Sequence, residues 1–169
     1  SLLIQSDSPD SAQIYFDLGK AQAQQNQLDE AISSYHKAIH QHPEWAEVYF
    51  YIGQALVQKN KLEEAITCYQ KVLQQHPEWA KVYFYIGQAK SHQNQLDEAI
   101  EFYQKSIQIE PKYIGAYLLL GGLLHAQSKF DEAISCFQDL INLENHRFGS
   151  IAQTYIGSIL QQQGKQEEA

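Results

Sequence analysis

Four prolines, Pro9, Pro43, Pro77 and Pro111, stand 34 residues apart, and this interval constrains the chain more than any other feature. Gly19, Gly53, Gly87 and Gly121 keep the same interval. So do Ala31, Ala65, Ala99 and Ala133, each preceded by an acid and followed by Ile. Three residue types in phase over four periods define a tandem array, in which units stack because none buries its apolar face alone. Within residues 46–79, Val48, Tyr49, Ile52 and Leu56 recur at steps of three and four, and Leu62, Ala65, Ile66, Tyr69, Val72 and Leu73 do likewise. That spacing predicts two amphipathic helices per unit, A and B. Between them stands Asn26, Asn60, Asn94, Ser128 or Gly164. Asn and Gly tolerate the left-handed backbone that closes a helix, so helix A is expected to end there. Pro43, Pro77 and Pro111 cannot lie inside the preceding helix and are expected to end helix B.

One unit carries Tyr49, Ile52-Gly53, Ala65, Tyr69 and Pro77, and the next carries Tyr83, Ile86-Gly87, Ala99, Tyr103 and Pro111. The unit before them reads Tyr15, Leu18-Gly19, Ala31, Tyr35, Ala38 and Pro43. The unit after them reads Tyr117, Leu120-Gly121, Ala133 and Phe137, with Asn145 in place of proline. Over essentially its whole length the chain resembles the tetratricopeptide repeat (TPR) family. The resemblance implies an all-α fold, a right-handed superhelical solenoid of stacked antiparallel helix pairs. It also implies that the recurrent glycine faces the recurrent alanine where helices A and B cross. A mid-helix glycine costs about 1 kcal/mol against alanine, so its recurrence signals close approach.

The units are then 12–45, 46–79, 80–113, 114–149 and a partial 150–169, with residues 1–11 read as the tail of a preceding unit. Gly121 and Gly157 are 36 apart, a two-residue insertion that places Asn145-His146-Arg147-Phe148-Gly149 in a longer loop. Gly157, Gly164 and Glu167-Glu168-Ala169 fill the glycine, turn and acid-acid-Ala slots, so a second helix is expected to begin at the end of the chain. Both ends cut through a unit and the chain has no Met, so it is expected to be a piece of a longer protein.

Net charge is −8 and Arg147 is the only arginine, so the basic clusters that neutralise nucleic-acid phosphates or anionic membranes are missing. Nucleic-acid and membrane partners are therefore not expected, and neither a membrane-spanning run nor a secretory signal is present. Cys68 and Cys136 stand two units apart; at about 10 Å per helix layer they cannot form a disulfide. Free thiols and the missing signal point to the cytoplasm. Half of the 20 acids form five doublets, Asp29-Glu30, Glu63-Glu64, Asp97-Glu98, Asp131-Glu132 and Glu167-Glu168. All are expected in the first turn of a helix B, complementing its dipole rather than holding a metal. His36 and His40 lie four apart with His42 nearby, but no acidic ligand or second histidine pair accompanies them, so they read as surface residues. No Ser-His-Asp arrangement, phosphate loop or cofactor fingerprint occurs. No catalytic residue, metal or cofactor is therefore expected, and the chain is not expected to be an enzyme.

In the TPR family helix A lines the concave surface. The residue after each helix-A tyrosine, Phe16, Phe50, Phe84 and Leu118, is expected to point into that groove. Helical steps along the same face add Gln13, Lys20 and Gln24; Glu47, Gln54 and Gln58; Lys81, Gln88 and His92; and Gly115, Gly122 and His125. Tyr51 and Tyr85 flank the strip. An aromatic rail bordered by amides suits an extended peptide or a partner helix. Trp45, Trp79 and Tyr113 are assigned to packing between units. One TPR subclass grips a chaperone's C-terminal carboxylate through positions matched here by Phe16, Lys20, Tyr51, Lys81 and Tyr85. Only Lys81 fits fully, which disfavours that role. The expected function is a non-catalytic protein-interaction module with a protein or peptide ligand. The rivals are a self-associating scaffold, forming a homodimer through exposed terminal repeats, and the substrate-presenting arm of a larger enzyme.

Overall fold

A computed structural model describes residues 9–143 and 146–167, and among them every regular element is an α-helix. The order is α1 (Pro9–Gln24), α2 (Leu28–Gln41), α3 (Ala46–Gln58), α4 (Leu62–Gln75), α5 (Ala80–His92), α6 (Leu96–Ile109), α7 (Ile114–Ala126), α8 (Phe130–Asn142) and α9 (His146–Glu167). Two compact units result, one carrying α1–α4 up to Glu78 and the other α5–α9 from Trp79. In the first, α1 packs on α2, α2 on α3, and α3 on α4. In the second, α5 through α9 pack in chain order, and α7 also meets α9.

The turn closing each helix A is the same object four times. Asn26, Asn60, Asn94 and Ser128 take φ of 61°, 58°, 61° and 60°. In each, the left-handed residue donates its N–H three residues back and the next residue donates five back, as in Asn60 to Val57 and Lys61 to Leu56, both 2.9 Å. This is the Schellman cap, which satisfies carbonyls that the helix end would leave unpaired. A β-branched side chain crowds the carbonyl in this conformation, so Asn60→Val is expected to lose about 1–2 kcal/mol. Ser128→Gly is expected to gain up to about 1 kcal/mol at the same kind of site. Urea midpoints at unchanged slope check both.

The recurrent glycine answers to an aromatic ring rather than to alanine. A Cβ placed on Gly53 would lie 2.5 Å from the Tyr69 ring, on Gly87 2.7 Å from Tyr103, and on Gly121 2.6 Å from Phe137; Gly19 meets Tyr35 in the same way. The bare backbone of helix A gives the helix-B ring a flat surface to lie on, which an alanine pairing would not require. At Gly87 alanine also comes close, through the Ala99 carbonyl at 3.3 Å.

The acidic doublets open α2, α4, α6 and α8 as expected. Their first members also tie consecutive hairpins together. Asp29 pairs with Lys59, Asp97 accepts from Gln127 at 3.1 Å, and Asp131 accepts from Gln163 at 3.4 Å. Exposed links of this kind contribute at most about 1 kcal/mol each, so they adjust register more than stability.

Three expectations at the ends change. α1 begins at Pro9, whose fixed φ and missing N–H suit the first helical position, so residues 9–11 belong to this helix and not to a tail. Residues 1–8 lie outside the described residues. α9 begins at His146, so His146 to Gly149 form its first turn instead of a loop; Asn145 lies outside the described residues. α9 also runs through Gly164, because glycine permits a left-handed turn without imposing one and the glutamines before it favour helix. Glu167 therefore ends a helix rather than opening one, and Glu168 and Ala169 lie outside the described residues.

Candidate functional site

Helical steps along α1 bring Lys20, Ala23 and Gln24 to one face, and steps along α3 bring Tyr51, Gln54, Ala55 and Gln58 opposite. These residues enclose a pocket of about 270 Å³ whose eighth lining residue is Tyr35 from α2. Ala23 and Ala55 leave the depression, and the glutamines wall it. Tyr35 is wholly buried, held under Gly19 with its ring 6.0 Å from Phe16 and 6.1 Å from Tyr51. Its hydroxyl is shielded from solvent and has no hydrogen-bond partner among the described residues. A buried hydroxyl left so disfavours the fold by about 1–3 kcal/mol. Burial, and then the nearby Tyr51 phenol, push its pKa up to about 12.

Lys20 is the pocket's only cation, and it is already engaged. Its Nζ lies 2.8 Å from Asp17 and 4.4 Å from the Phe16 ring centre. The hydrogen bond to Asp17 raises the Lys20 pKa and, in return, lowers that of Asp17, which also accepts from Gln13 at 3.0 Å. The pocket is thus close to neutral, rich in amide donors and acceptors, and floored by a phenol. Its one amine, Lys20, is kept protonated by Asp17. The thiols lie elsewhere, Cys136 buried and Cys68 partly so, and burial raises them to about 12 and about 11. Among the described residues no three His, Cys, Asp or Glu side chains converge to hold a metal ion.

The aromatic rail does not face the groove as expected. Phe16 and Phe50 are only 2% and 3% exposed. Phe16 sits 4.9 Å from Trp45 and 5.3 Å from Tyr51, and Phe50 lies 5.9 Å from Tyr69 and 5.8 Å from Tyr51. Phe16 fills the seam between the first two hairpins and Phe50 packs against the helix-B ring of its own hairpin, and in both places burial outweighs leaving the ring to await a ligand. Phe84 is half-buried in the matching seam, 5.1 Å from Tyr113 and 5.9 Å from Tyr103, with Gly115 giving it room. Leu118, also half-buried, packs on the core of its unit. The amide and phenol positions behave differently: Lys20, Tyr51 and Gln54 line the pocket. On α5, Lys81 lies 5.9 Å from the Tyr85 ring centre, Gln88 is half-buried and His92 is exposed. On α7, His125 Nε2 lies 2.9 Å from Gln162 Oε1.

The tetratricopeptide repeat family model matches residues 3–45 and 16–78, and that of anaphase-promoting complex, cyclosome, subunit 3 matches residues 58–140. The chain belongs to the tetratricopeptide repeat family. Its fold class is the all-α TPR solenoid, shared with solved structures. MamA is 27% identical with a TM-score of 0.75, covering 81% of this chain and 80% of its own. YrrB, a TPR protein with an unusual peptide-binding site, is 20% identical with a TM-score of 0.72, covering 95% and 80%. The first TPR of Spaghetti (RPAP3), bound to the HSP90 peptide SRMEEVD, is 21% identical with a TM-score of 0.67, covering 73% and 98%. No curated protein matches the sequence at a significant level.

At the carboxylate-gripping positions of the TPR family, this TPR chain offers a buried Phe16, a Lys20 already bonded to Asp17, and a phenol at Tyr51. Sequence reasoning missed Tyr35, Ala23 and Ala55 as parts of the site. Tyr35 looks like one more core aromatic of the repeat. Its hydroxyl gave no separate signal, since Tyr69 and Tyr103 carry one in the same TPR slot and Phe137 does not.

Proposed function

We propose that this TPR chain is a non-catalytic interaction module that holds an extended peptide or partner helix against its A-helix face, centred on the pocket between α1 and α3. The observation that carries this reading is the pocket itself: half-open, nearly neutral, and lined by amides and phenols that can bond a peptide backbone. Peptide binding by the Spaghetti and YrrB repeats supports it as a use of the fold. The net charge of −8 and the engaged Lys20 disfavour nucleic acid and a strongly acidic ligand alike. Free, protonated thiols fit a reducing compartment such as the cytoplasm.

Selection from a phage-displayed random 12-mer library tests the reading. Peptides chosen on the native protein are expected to bind Lys20→Ala/Gln54→Ala at least about tenfold more weakly, as the joint loss of a Gln54 hydrogen bond and of the Lys20 stem that walls the pocket implies. The variant's circular dichroism should be unchanged. Equal affinity for both proteins moves the site elsewhere.

Self-association is a second reading, favoured by apolar side chains that α1 and α9 leave in solvent. Ile14 and Leu160 are 50% and 54% exposed. Sedimentation that depends on concentration, and that Ile14→Gln or Leu160→Gln abolishes, would support it.

A further inference from the structure

The floor of the α1–α3 pocket holds an unmet hydrogen-bonding group. Packing requires the Tyr35 ring, which lies on Gly19, but not its hydroxyl, because Phe137 lies on Gly121 in the same way with none. Tyr35 lines a pocket whose walls supply amides from Gln24, Gln54 and Gln58 and a second phenol from Tyr51, and its hydroxyl lies just beneath that lining. These walls are flexible stems, with Gln24 and Gln58 exposed, and they can part for an entering side chain.

The chemistry of that side chain follows by elimination. A carboxylate would find Lys20 already held by Asp17, with Glu47 also close enough to act on it. An ammonium would find no carboxylate among the lining residues. An aliphatic group would leave the Tyr35 hydroxyl as unpaired as before. A carboxamide meets every demand: its C=O accepts from Tyr35, and its NH2 donates to a glutamine Oε1. We propose that the pocket over Tyr35 reads the carboxamide of an Asn or Gln side chain in the bound peptide. This inference rests on the groove reading and refines it.

The test is a double-mutant cycle with peptides selected from the 12-mer library. On the native protein, one Asn or Gln position is expected to recur, and replacing it by Ala should weaken binding about fivefold to tenfold. On Tyr35→Phe the native peptide should bind as weakly as its Ala version, while the melting temperature stays level or rises. If Tyr35→Phe loses its helical signal, the ranking on the native protein decides instead: Gln and Asn above Leu, Glu and Lys at that position. A preference for Glu, Lys or Leu, or a cycle with no coupling, overturns the inference. Peptides sensitive to Lys20→Ala/Gln54→Ala but indifferent to Tyr35→Phe leave the groove standing without the carboxamide. Peptides indifferent to both, or a selection that yields no binder, remove both.

Discussion

Gly53→Leu is expected to lower stability by about 3 kcal/mol or more, while Gly157→Ala raises it by about 1 kcal/mol, although the two glycines occupy the same slot of the repeat. At Gly53 a Cβ alone would lie 2.5, 2.8 and 2.9 Å from three atoms of the Tyr69 ring. That ring is wholly buried, so it has nowhere to retreat, and a Leu adds three further carbons. At Gly157, in the middle of α9, no atom of the described residues beyond its chain neighbours and own helix backbone lies within 4 Å of the same Cβ. Alanine there only removes the entropic penalty of glycine in a helix. Urea denaturation of both variants checks the pair. Equal effects of one sign would mean that the ring contact does not explain the glycine.

Alkaline unfolding is the second large effect. Burial pushes Tyr35, Tyr103 and Tyr113 from 10.0 up to about 12. It pushes Cys68 and Cys136 from 9.0 up to about 11 and about 12. The unfolded chain sheds these protons first, so above pH 9 it binds fewer protons than the folded chain, and stability falls as pH rises. The contribution of these groups is complete below about pH 9 and is lost between there and about pH 12. Each titrating group removes up to about 1.4 kcal/mol per pH unit. Five groups acting together would exhaust a typical stability of about 5–15 kcal/mol before pH 12. Helical circular dichroism is therefore expected to collapse between about pH 10 and 12. The midpoint should rise in Tyr103→Phe/Cys136→Ala if that variant keeps its neutral-pH stability. A signal flat to the upper limit would show that these groups are not held protonated by the fold.

The helices and their caps were legible because a tandem repeat reports the same decision several times. Asn26, Asn60 and Asn94 disclosed the left-handed cap, and Ser128 could be placed there only because the interval carried it. What a repeat does not report is helix rotation. Successive residues on a helix turn by about 100°, so Phe16 and Phe50 needed only a modest rotation to leave the groove for the packed side of helix A. No spacing rule separates those two faces when both accept aromatics. Lys20, Tyr51 and Gln54 were legible as residues of an open face because their polar ends are not left inside a packed one. Tyr35 was not, because it obeys the core pattern in ring and hydroxyl alike, as Tyr69 and Tyr103 do. α9 departs for a simpler reason. Gly164 tolerates a turn but the residues around it favour helix, and the helix prevails.

Chemical-shift mapping on the ¹⁵N-labelled protein, titrated with the tightest peptide from the 12-mer selection, tests the central claim most directly. The expected result is perturbation concentrated on α1 and α3 at Lys20, Gln24, Tyr51 and Gln54, saturating with the binding curve. Perturbation confined instead to the helix-B face, at the second pocket lined by Asp29, His36, Lys61 and Cys68, would contradict the account.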